Sequence, residues 1–264
     1  MKPLDLWPAE KRRQLIGVFT DIDDTLTTDG VATGDALAAI AALRHAGLHV
    51  IPITGRPMGW SEPFARAWPV DAIVAENGAV ALIHTGPGLL RKIYQQREAV
   101  RQINYERMQR VARRIVAEIP GAVLSCDSAG RETDIAIDHS ESTTLPAHCI
   151  AQVVALMQGE GMNATVSSIH INGWYGDHNK LSGARWIVRE LFGRKLDAEI
   201  GRWAYVGDST NDELMFEHFL HSIGVANIRR FEAQLSHPPI YITPSERGAG
   251  FAQVAEAILS AGRS

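Results

Sequence analysis

The sequence predicts an α/β fold in which a parallel-sheet core is interrupted by a second, smaller α+β domain. Short apolar runs that end in polar or glycine-rich loops alternate with helical segments, a pattern typical of crossovers between parallel strands. The pattern changes after residue 84, where a helix, two strands, a helix and a strand follow one another up to residue 176. We therefore expect a Rossmann-like core at 1–84 and 177–264, with an inserted domain at 85–176.

The first apolar run, residues 15–19, leads directly into the acids Asp21, Asp23 and Asp24. Acids gathered at the end of a buried strand resist ionising together unless a cation lies between them. Open α/β sheets place their sites at this end of the strands, and carboxylates are the ligands of hard divalent cations. Asp21 and Asp23 project to the same side of an extended chain, so one can attack a substrate while the other manages a proton. A solvated acidic turn is the alternative.

The remaining core elements follow in order. We expect a helix over 36–46, capped by Asp35 and ended by Gly47, and a strand over 49–53. A strand over 72–75 and a return over 80–83 flank the Asn-Gly turn at 77–78, which predicts a hairpin. After the insertion come a helix over 181–192, strands over 203–206, 221–226 and 240–243, and a last helix over 250–259.

Within the insertion, a basic helix is expected over 97–118, followed by strands over 123–126 and 133–138. A helix over 150–157 begins after Pro146, and an alternating strand covers 164–171. His170 and Asn172 alternate with isoleucines, which predicts a sheet with one polar face. We expect these two residues to contact substrate, although any half-solvated antiparallel sheet has such a face.

The predicted strand ends carry the groups that phosphoryl transfer requires. Asp21 and Asp208 suit a Mg²⁺ ion, which takes one or two protein carboxylates together with water and a phosphate oxygen. A hydroxyl such as Thr54, the ammonium of Lys180 and backbone N–H groups can bind the oxygens of a phosphoryl group. A carboxylate nucleophile divides the reaction into formation and hydrolysis of an aspartyl-phosphate.

The motifs at these positions carry a family resemblance. Residues 21–25 resemble the D-x-D-x-T motif of the haloacid dehalogenase (HAD) superfamily phosphatases. Residues 53–56 look like the second motif of that superfamily, Lys180 like the third and residues 207–212 like the fourth. Residues 76–79 and the position of the insertion are similar to subfamily IIB, the Cof-type and sucrose-phosphatase-like group with a C2 cap. The resemblance implies that the insertion is a C2-type cap domain.

The resemblance also implies a role for each matching residue. Asp21 would be the nucleophile and a Mg²⁺ ligand. Asp23 would protonate the leaving alkoxide, activate the hydrolytic water and bind Mg²⁺ through its backbone carbonyl. Asp208 would be the second carboxylate ligand, and Asp212 would hold a metal-bound water or orient Lys180. The core residues expected to bind substrate are Thr54, Gly55, Arg56, Lys180, Asn211 and Asn77.

Several of these residues have simpler interpretations. Thr54 alone is a common turn residue, and Asp208 and Asp212 can cap the helix that follows them. His178 competes with Lys180 as the basic group near this helix start. Eight basic residues on or before the basic helix form a solvated surface or reach an anionic part of the substrate: Arg91, Lys92, Arg97, Arg101, Arg107, Arg110, Arg113 and Arg114.

Composition excludes several classes of protein. The net charge is −4 and aromatic residues do not interleave with the basic ones, which argues against a nucleic-acid partner. Cys126 and Cys149 lack metal-ligand spacing and are expected to be reduced thiols. The N-terminus lacks the apolar core of a signal peptide, and no segment approaches the ~20 apolar residues of a membrane span. We expect a cytoplasmic protein that forms a monomer or a small homo-oligomer and does not bind membranes.

The sequence therefore predicts a Mg²⁺-dependent phosphomonoester hydrolase. Its expected substrate is a small phosphorylated metabolite, most readily a sugar or glycosyl phosphate by analogy with subfamily IIB. A phosphomutase of the phosphomannomutase type is an alternative, since it would return the phosphoryl group to substrate instead of water. A non-catalytic sugar-phosphate-binding protein is a second alternative, although it would be expected to carry a damaged motif.

Overall fold

The computed structural model describes residues 1–86 and 88–262. Pro87, inside the predicted insertion, and the last two residues of the predicted core lie outside this range. The strands are β1 Lys2–Pro3, β2 Gly17–Thr20, β3 Thr27–Thr28, β4 Val31–Ala32, β5 His49–Pro52, β6 Ala72–Ala75, β7 Val80–Gly86, β8 Leu89–Tyr94, β9 Val123–Leu124, β10 Ile135–Asp138, β11 Asn163–Val166, β12 His170–Trp174, β13 Trp203–Gly207, β14 Ser222–Gly224 and β15 Tyr241–Ile242.

The helices are α1 Ala9–Arg13, α2 Gly34–His45, α3 Met58–Ala67, α4 Glu98–Glu118, α5 Ala147–Gly159, α6 Lys180–Phe192, α7 Glu213–His218 and α8 Arg247–Leu259. In the part of the chain that the structure describes, none of them combines the length and apolar character needed to cross a membrane. The basic helix is α4, close to its predicted bounds.

A six-stranded sheet with the order β1-β15-β14-β13-β2-β5 forms the centre of the molecule. Every neighbouring pair in it is parallel. The four residues of β2 are all buried, because helices cover both faces of the sheet. This confirms the predicted α/β class with a parallel core. The parallel arrangement brings the carboxyl ends of β2, β5, β13 and β14 to one edge.

A second, antiparallel sheet joins the central one through a parallel bridge between Ile53 and Val74. Its order is β6-β7-β8, and the hairpin predicted across residues 77–78 is present as β6 and β7. Strand β8 was not expected, because its Leu-Leu-Arg-Lys sequence lacks the alternation of a half-buried strand. Since β8 pairs with β7, this sheet continues past the predicted boundary at residue 84, and the domain division stays a prediction.

A four-stranded antiparallel sheet with the order β11-β12-β10-β9 lies within the predicted insertion. Helices α4 and α5 cover one face of it, where Ile135, Ile137 and Ile171 join a separate apolar cluster. On the opposite face His170 pairs with Asp138 across the strands, and Asn172 pairs with Ala136. The predicted alternation of apolar and polar faces is therefore confirmed.

The start of α2 differs from the prediction. The helix begins at Gly34 after Thr33, so Asp35 lies inside its first turn rather than at the N-cap, and its side chain accepts the N–H of Ala36 at 2.8 Å. The predicted stop is present, since Gly47 adopts a left-handed φ of 79° directly after the helix. Helix α6 has a capping box in which Asn179 and Ser182 exchange hydrogen bonds, and this cap fixes where Lys180 begins the helix.

We expect Gly183→Ala to lower the free energy of unfolding by about 1–3 kcal/mol, because it overpacks the contact of α6 with the β6–β7 hairpin. A Cβ at Gly183 would lie 2.6 Å from the Cα of Gly78. The loss opposes the gain of roughly 1 kcal/mol that alanine normally gives inside a helix. Urea unfolding measures the change.

Gly34→Ala is the matched control, because Gly34 begins α2 and a Cβ there meets no atom within 4 Å. Equal stability changes in the two variants would contradict the steric role assigned to Gly183.

Candidate active site

Three buried acids meet at the carboxyl edge of the central sheet. Asp21 follows β2, Asp208 follows β13, and Asp212 lies one short turn beyond Asp208. One carboxylate oxygen from each lies within 4.8 Å of the other two. Oxygen ligands in this number and at this separation suit a hard divalent cation.

Lys180 lies between two of these acids. Its Nζ donates to Asp21 Oδ1 at 2.7 Å and to Asp212 Oδ1 at 2.6 Å, and its side chain is 3% exposed. The alternative basic group, His178, forms no hydrogen bond with these acids, because its buried ring nitrogens find no hydrogen-bond partner among residues 1–86 and 88–262. Burial lowers the pKa of His178 to about 4. Lys180 is therefore the cation that faces Asp21.

The acids of this buried cluster outnumber its one cationic group, Lys180. Burial raises the pKa of the Asp21 carboxyl to about 7, even though the Lys180 ammonium acts to lower it. It raises the pKa of Asp208 well above the ordinary value, and the neighbouring Asp21 charge adds to the rise. One lysine thus does not balance the three acids, so the donor set and its charge fit a divalent metal ion.

The Asp212 carboxylate is almost fully engaged by the protein. Besides Lys180, it accepts the Tyr205 hydroxyl and the backbone N–H groups of Asp208 at 2.9 Å and Ser209 at 3.2 Å. These contacts favour the second of its two predicted roles, the orientation of Lys180. They also shape the loop that presents Asp208.

Two side chains that were not predicted hold Asp208. Asn227 donates to Asp208 Oδ2 at 3.0 Å and to the Asp24 carbonyl at 2.9 Å, and the Thr25 hydroxyl donates to Asp208 Oδ1 at 3.4 Å. Asn227 follows the end of β14, so its position after a predicted core strand was a usable signal. Asn227 thus links the loop after β2, which contains Asp24, to the loop after β13, which contains Asp208.

A small space lies directly beside Asp21, and we call it the catalytic cavity. Its volume is about 10 Å³, and its lining includes Ser167, Ser168 and Ile169, which lie between β11 and β12. Eight of the predicted site residues line it: Asp21, Asp23, Thr54, Gly55, Arg56, His170, Asn172 and Asn211. The sheet edge therefore brings together most of the residues that the motifs indicate.

Two larger clefts flank the cluster. The first, the His178 cleft, has a volume of about 760 Å³ and includes Asn77, His178, Lys180 and Asn211 in its lining. The second, the acidic cleft, has a volume of about 340 Å³. It is lined by Asp23, Asp24, Thr27, Asp29, Gly30, Arg56, Ser140, Glu141, Ile169 and Arg247.

Arg56 is enclosed by three carboxylates. Its Nε donates to both oxygens of Asp23 at 3.0 Å, Nη1 donates to Asp127 at 3.1 Å, and Nη2 donates to Glu141 at 2.7 Å. This pattern favours a role for Arg56 in positioning Asp23, rather than its predicted role in binding substrate. Hydrogen bonding from His170 lowers the pKa of Glu141 to about 2, so Glu141 stays charged beside Arg56.

The predicted substrate contacts on the polar sheet face have protein partners here. His170 Nε2 lies 2.8 Å from Glu141, while Asn172 donates to Asp134 at 2.9 Å and to the Gly55 carbonyl at 3.3 Å. Asn77 donates to Asp134 at 3.5 Å. Their roles toward substrate stay predictions.

Glu76 is a buried acid that the prediction left out. Its carboxylate accepts the backbone N–H groups of Met58 at 3.0 Å, Glu132 at 3.1 Å and Thr133 at 2.5 Å, and it also accepts the Thr133 hydroxyl. Burial raises the pKa of Glu76. Since Glu76 follows β6 and Thr133 precedes β10, this carboxylate connects the hairpin to the four-stranded sheet.

The basic helix does not reach these cavities. Arg101 lies over the ring of Tyr94, Arg107 over that of Tyr175, and Arg114 pairs with Glu118. Among the described residues that line the catalytic cavity and the two clefts, none comes from α4. This favours the solvated-surface interpretation of its arginines.

Residues 18–144 match the family of haloacid dehalogenase-like hydrolases. No curated protein matches the chain in sequence. Among solved structures, the sucrose-phosphatase of Synechocystis sp. PCC6803, in complex with sucrose and phosphate, is 16% identical with a TM-score of 0.66, and the match covers 93% of this chain and 98% of that chain.

Two further structures belong to phosphatases of the HAD superfamily. BT4131, a subclass IIB sugar phosphatase, is 16% identical with a TM-score of 0.63, and the match covers 91% of this chain and 97% of that one. BT1666 of Bacteroides thetaiotaomicron is 16% identical with a TM-score of 0.64, covering 98% and 99%. At these identities the likeness shows a shared fold. The family match over residues 18–144 and the shared fold agree with the predicted resemblance.

We expect the metal-free protein to lose stability as the pH rises from about 4 to above 7. The pKa of Asp21 is about 7 in the folded protein, against an ordinary value of 3.8. The unfolded chain therefore releases this proton first, and the folded state is penalised increasingly until Asp21 itself ionises. Between pH 5 and 8 the wild type should lose at least about 1 kcal/mol more than Asp21→Asn, as measured by urea unfolding in chelator.

Adding Mg²⁺ should restore the stability of the wild type at pH 8, because an ion that binds the folded state alone stabilises it. Parallel pH profiles for wild type and Asp21→Asn would show that the Asp21 carboxyl does not carry this penalty.

We expect Asn227→Ala to weaken Mg²⁺ binding about 10- to 100-fold, the range typical when a residue that orients a metal ligand is removed. The variant leaves Asp208 Oδ2 without the amide donor that holds it at 3.0 Å. Calorimetric titration with Mg²⁺ measures the effect. Asn104→Ala on α4 is the control, since Asn104 bonds only to Gln96 among the contacts described. An unchanged affinity in Asn227→Ala would show that Asn227 does not position a ligand.

Proposed function

We propose that this protein is a haloacid dehalogenase-like hydrolase and that it acts as a Mg²⁺-dependent phosphomonoester hydrolase with Asp21 as its nucleophile. The observation that carries the proposal is the buried cluster at the sheet edge. In it Asp21 lies 2.7 Å from Lys180 and within reach of the Asp208 carboxylate. A carboxylate that is buried and charge-balanced only by neighbours is suited to attack, because water does not solvate it strongly.

The Asp21 and Asp208 carboxylates, with the backbone carbonyl of Asp23, would hold the metal ion. When bound, Mg²⁺ neutralises charge on the phosphoryl oxygens and helps to align the substrate. Mg²⁺ fits better than a softer metal, because all of these ligand atoms are oxygens. Asn227 and Thr25 keep Asp208 oriented toward the cluster.

Lys180 and Thr54 would bind the phosphoryl group. The Lys180 ammonium touches the attacking carboxylate and is held there by Asp212, so it needs no rearrangement to balance charge on the transferring group. Thr54 is fully buried at the end of β5 and lines the catalytic cavity with Gly55 and Asn211. These residues supply the donors that equatorial phosphoryl oxygens require.

Asp23 would act as general acid and then as general base. In the first step an Asp21 oxygen attacks phosphorus, the bond to the leaving oxygen breaks, and Asp23 gives that oxygen its proton. In the second step Asp23 takes a proton from water, which attacks phosphorus and releases phosphate and the Asp21 carboxylate. Arg56 aims the Asp23 carboxylate through two hydrogen bonds of 3.0 Å. Such proton transfer is typically worth ~10²–10⁴-fold.

The insertion would act as a cap that opens for substrate. A space of about 10 Å³ beside Asp21 holds no more than a water molecule, so a phosphoryl group enters only when Ser167, Ser168 and Ile169 move away. We retain residues 85–176 as the predicted cap, within the cytoplasmic protein expected from the sequence.

A sugar or glycosyl phosphate is the substrate class that we propose. The flanking clefts of about 340 and 760 Å³ suit one or two sugar rings but not a macromolecule. Hydroxyl, amide and carboxylate groups line them, and such groups read the hydroxyls of a sugar. The named neighbours include a sucrose-phosphatase and a sugar phosphatase.

We expect Asp21→Asn to abolish phosphate release from every substrate of a panel, with at least a 10³-fold loss in kcat, because the amide is not a nucleophile. The panel contains glucose 6-phosphate, sucrose 6-phosphate, trehalose 6-phosphate and p-nitrophenyl phosphate, each assayed with Mg²⁺ and with chelator. The control is Asp197→Asn, which removes an exposed acid that pairs with Arg185.

Release that survives chelator or Asp21→Asn would contradict the proposed mechanism. Release that requires a bisphosphate activator would instead identify a phosphomutase. The compound with the highest kcat/KM names the substrate subclass.

A further inference from the structure

We propose that the acidic cleft binds the leaving group, and that Glu141 and Asp24 restrict it to neutral or cationic groups. A phosphomonoester that carries a second anion is excluded. The inference rests on the proposed phosphatase function and narrows its substrate class. Two observations support the inference: more carboxylates than guanidinium groups line the acidic cleft, and each arginine of the lining is already paired with acids of the same lining.

The acidic cleft is the one that borders Asp23. Asp23 lines both the catalytic cavity and the acidic cleft, and it is the residue proposed to protonate the leaving oxygen. The His178 cleft instead borders Lys180, which contacts the nucleophile Asp21, and Asn211. A leaving oxygen within reach of Asp23 therefore directs its carbon skeleton into the acidic cleft. Its volume of about 340 Å³ accommodates one hexose.

Acids outnumber bases in the lining of this cleft. Four carboxylates line it, from Asp23, Asp24, Asp29 and Glu141, against two guanidinium groups. The carboxylates that would hold the predicted cation, Asp21 and Asp208, lie outside the lining, and Asp23 would contribute only its backbone carbonyl. While Asp23 carries the proton for the leaving oxygen, three carboxylates remain against the two guanidinium groups. The wall around the leaving group is therefore net negative.

Both arginines of the lining are already paired. Arg56 is only 4% exposed and contacts Asp23 and Glu141 from inside the cleft, with Asp127 behind it. Arg247 lies 3.1 Å from Asp24 and 3.4 Å from Asp29. A carboxylate or second phosphate on the substrate would have to displace one of these acids to gain a cation.

The charge pattern separates substrates by repulsion. An anion in a partly buried cleft whose carboxylates outnumber its guanidinium groups meets a Coulombic penalty, whereas an ammonium group meets an attraction. The hydroxyls of a neutral sugar meet neither this repulsion nor this attraction. They can hydrogen-bond to the Ser140 and Thr27 side chains and to the carboxylates of the cleft. Glu141 and Asp24 matter most, because each holds one of the two arginines.

The test compares three compounds with the same ring. Glucose 1-phosphate is neutral apart from its phosphate, glucuronic acid 1-phosphate adds a carboxylate, and glucosamine 1-phosphate adds an ammonium group. Each is assayed as a substrate and, where it is not turned over, as a competitive inhibitor of the best substrate. We expect glucuronic acid 1-phosphate to have a kcat/KM or an affinity at least tenfold below that of glucose 1-phosphate. Glucosamine 1-phosphate should equal or exceed it.

Glu141→Gln should reduce the preference for glucose over glucuronic acid 1-phosphate at least fivefold, because it removes one negative charge from the lining and leaves the Arg56 guanidinium less fully balanced. Asp24→Asn should act in the same direction, because it removes the charge nearest to Arg247. The matched control is Glu118→Gln, which breaks a similar pair with Arg114 on α4, outside the cleft, and should leave the ratio unchanged. Ratios within one variant are insensitive to partial loss of folded enzyme.

Calorimetric titration of Asp21→Asn with the same compounds, in the presence of Mg²⁺, tests the charge selection separately from the phosphatase reaction. If the wild type has no phosphatase activity but the affinities follow the expected order, the proposed reaction is overturned and the charge selection is supported. Active wild type that prefers glucuronic acid 1-phosphate, or whose ratio does not respond to Glu141→Gln and Asp24→Asn, would overturn the selection by the acidic cleft.

Discussion

The crowding of buried carboxylates around Lys180 is the constraint on which the site depends. Asp21, Asp208 and Asp212 share a few ångströms of buried space, and a single ammonium group lies among them. Like charges without water or a counter-ion raise one another's pKa, so the cluster is stable as an ionised set only with more positive charge. The same shortage of positive charge would favour the proposed divalent cation, and burial leaves Asp21 poorly solvated. The proposed metal binding and the proposed reactivity thus depend on the same buried cluster.

The fold holds this cluster through a few close backbone contacts. Gly78 and Gly183 meet where a Cβ would not fit, which seats the first turn of α6 against the β6–β7 hairpin and places Lys180 opposite β2. The Tyr205 hydroxyl and two backbone N–H groups fix Asp212 from the other side. Because parallel strands end together, Asp21 and Asp208 need only follow adjacent strands to meet.

The class of fold and the cluster were predictable because both depend on local pattern. Buried apolar runs ending in Asp21 and Asp208 indicated neighbouring parallel strands, and their order indicated the shared edge. The partners of these groups were not predictable. That Arg56 is enclosed by Asp127 and Glu141 depends on how the four-stranded sheet lies over the core, and β8 lacks a strand pattern of its own. Long-range packing decides such contacts, and the periodicity of apolar residues along the sequence contains no information about that packing.

The contacts between the core and the four-stranded sheet are compatible with the proposed opening of the insertion. Arg131 donates to Asp134 at 2.8 Å and to the Gly55 carbonyl at 3.0 Å, while Glu76 binds the backbone at residues 132 and 133. Burial raises the pKa of Asp134 to about 7. Burial also raises the pKa of Glu76. Separation would break the hydrogen bonds from Arg131 to the Gly55 carbonyl and from residues 132 and 133 to Glu76, while the Arg131–Asp134 pair would stay together. It would also return both acids to water, so the loss of contacts is offset by hydration. A closed state held by buried charge is therefore easier to open than one held by apolar packing of equal area.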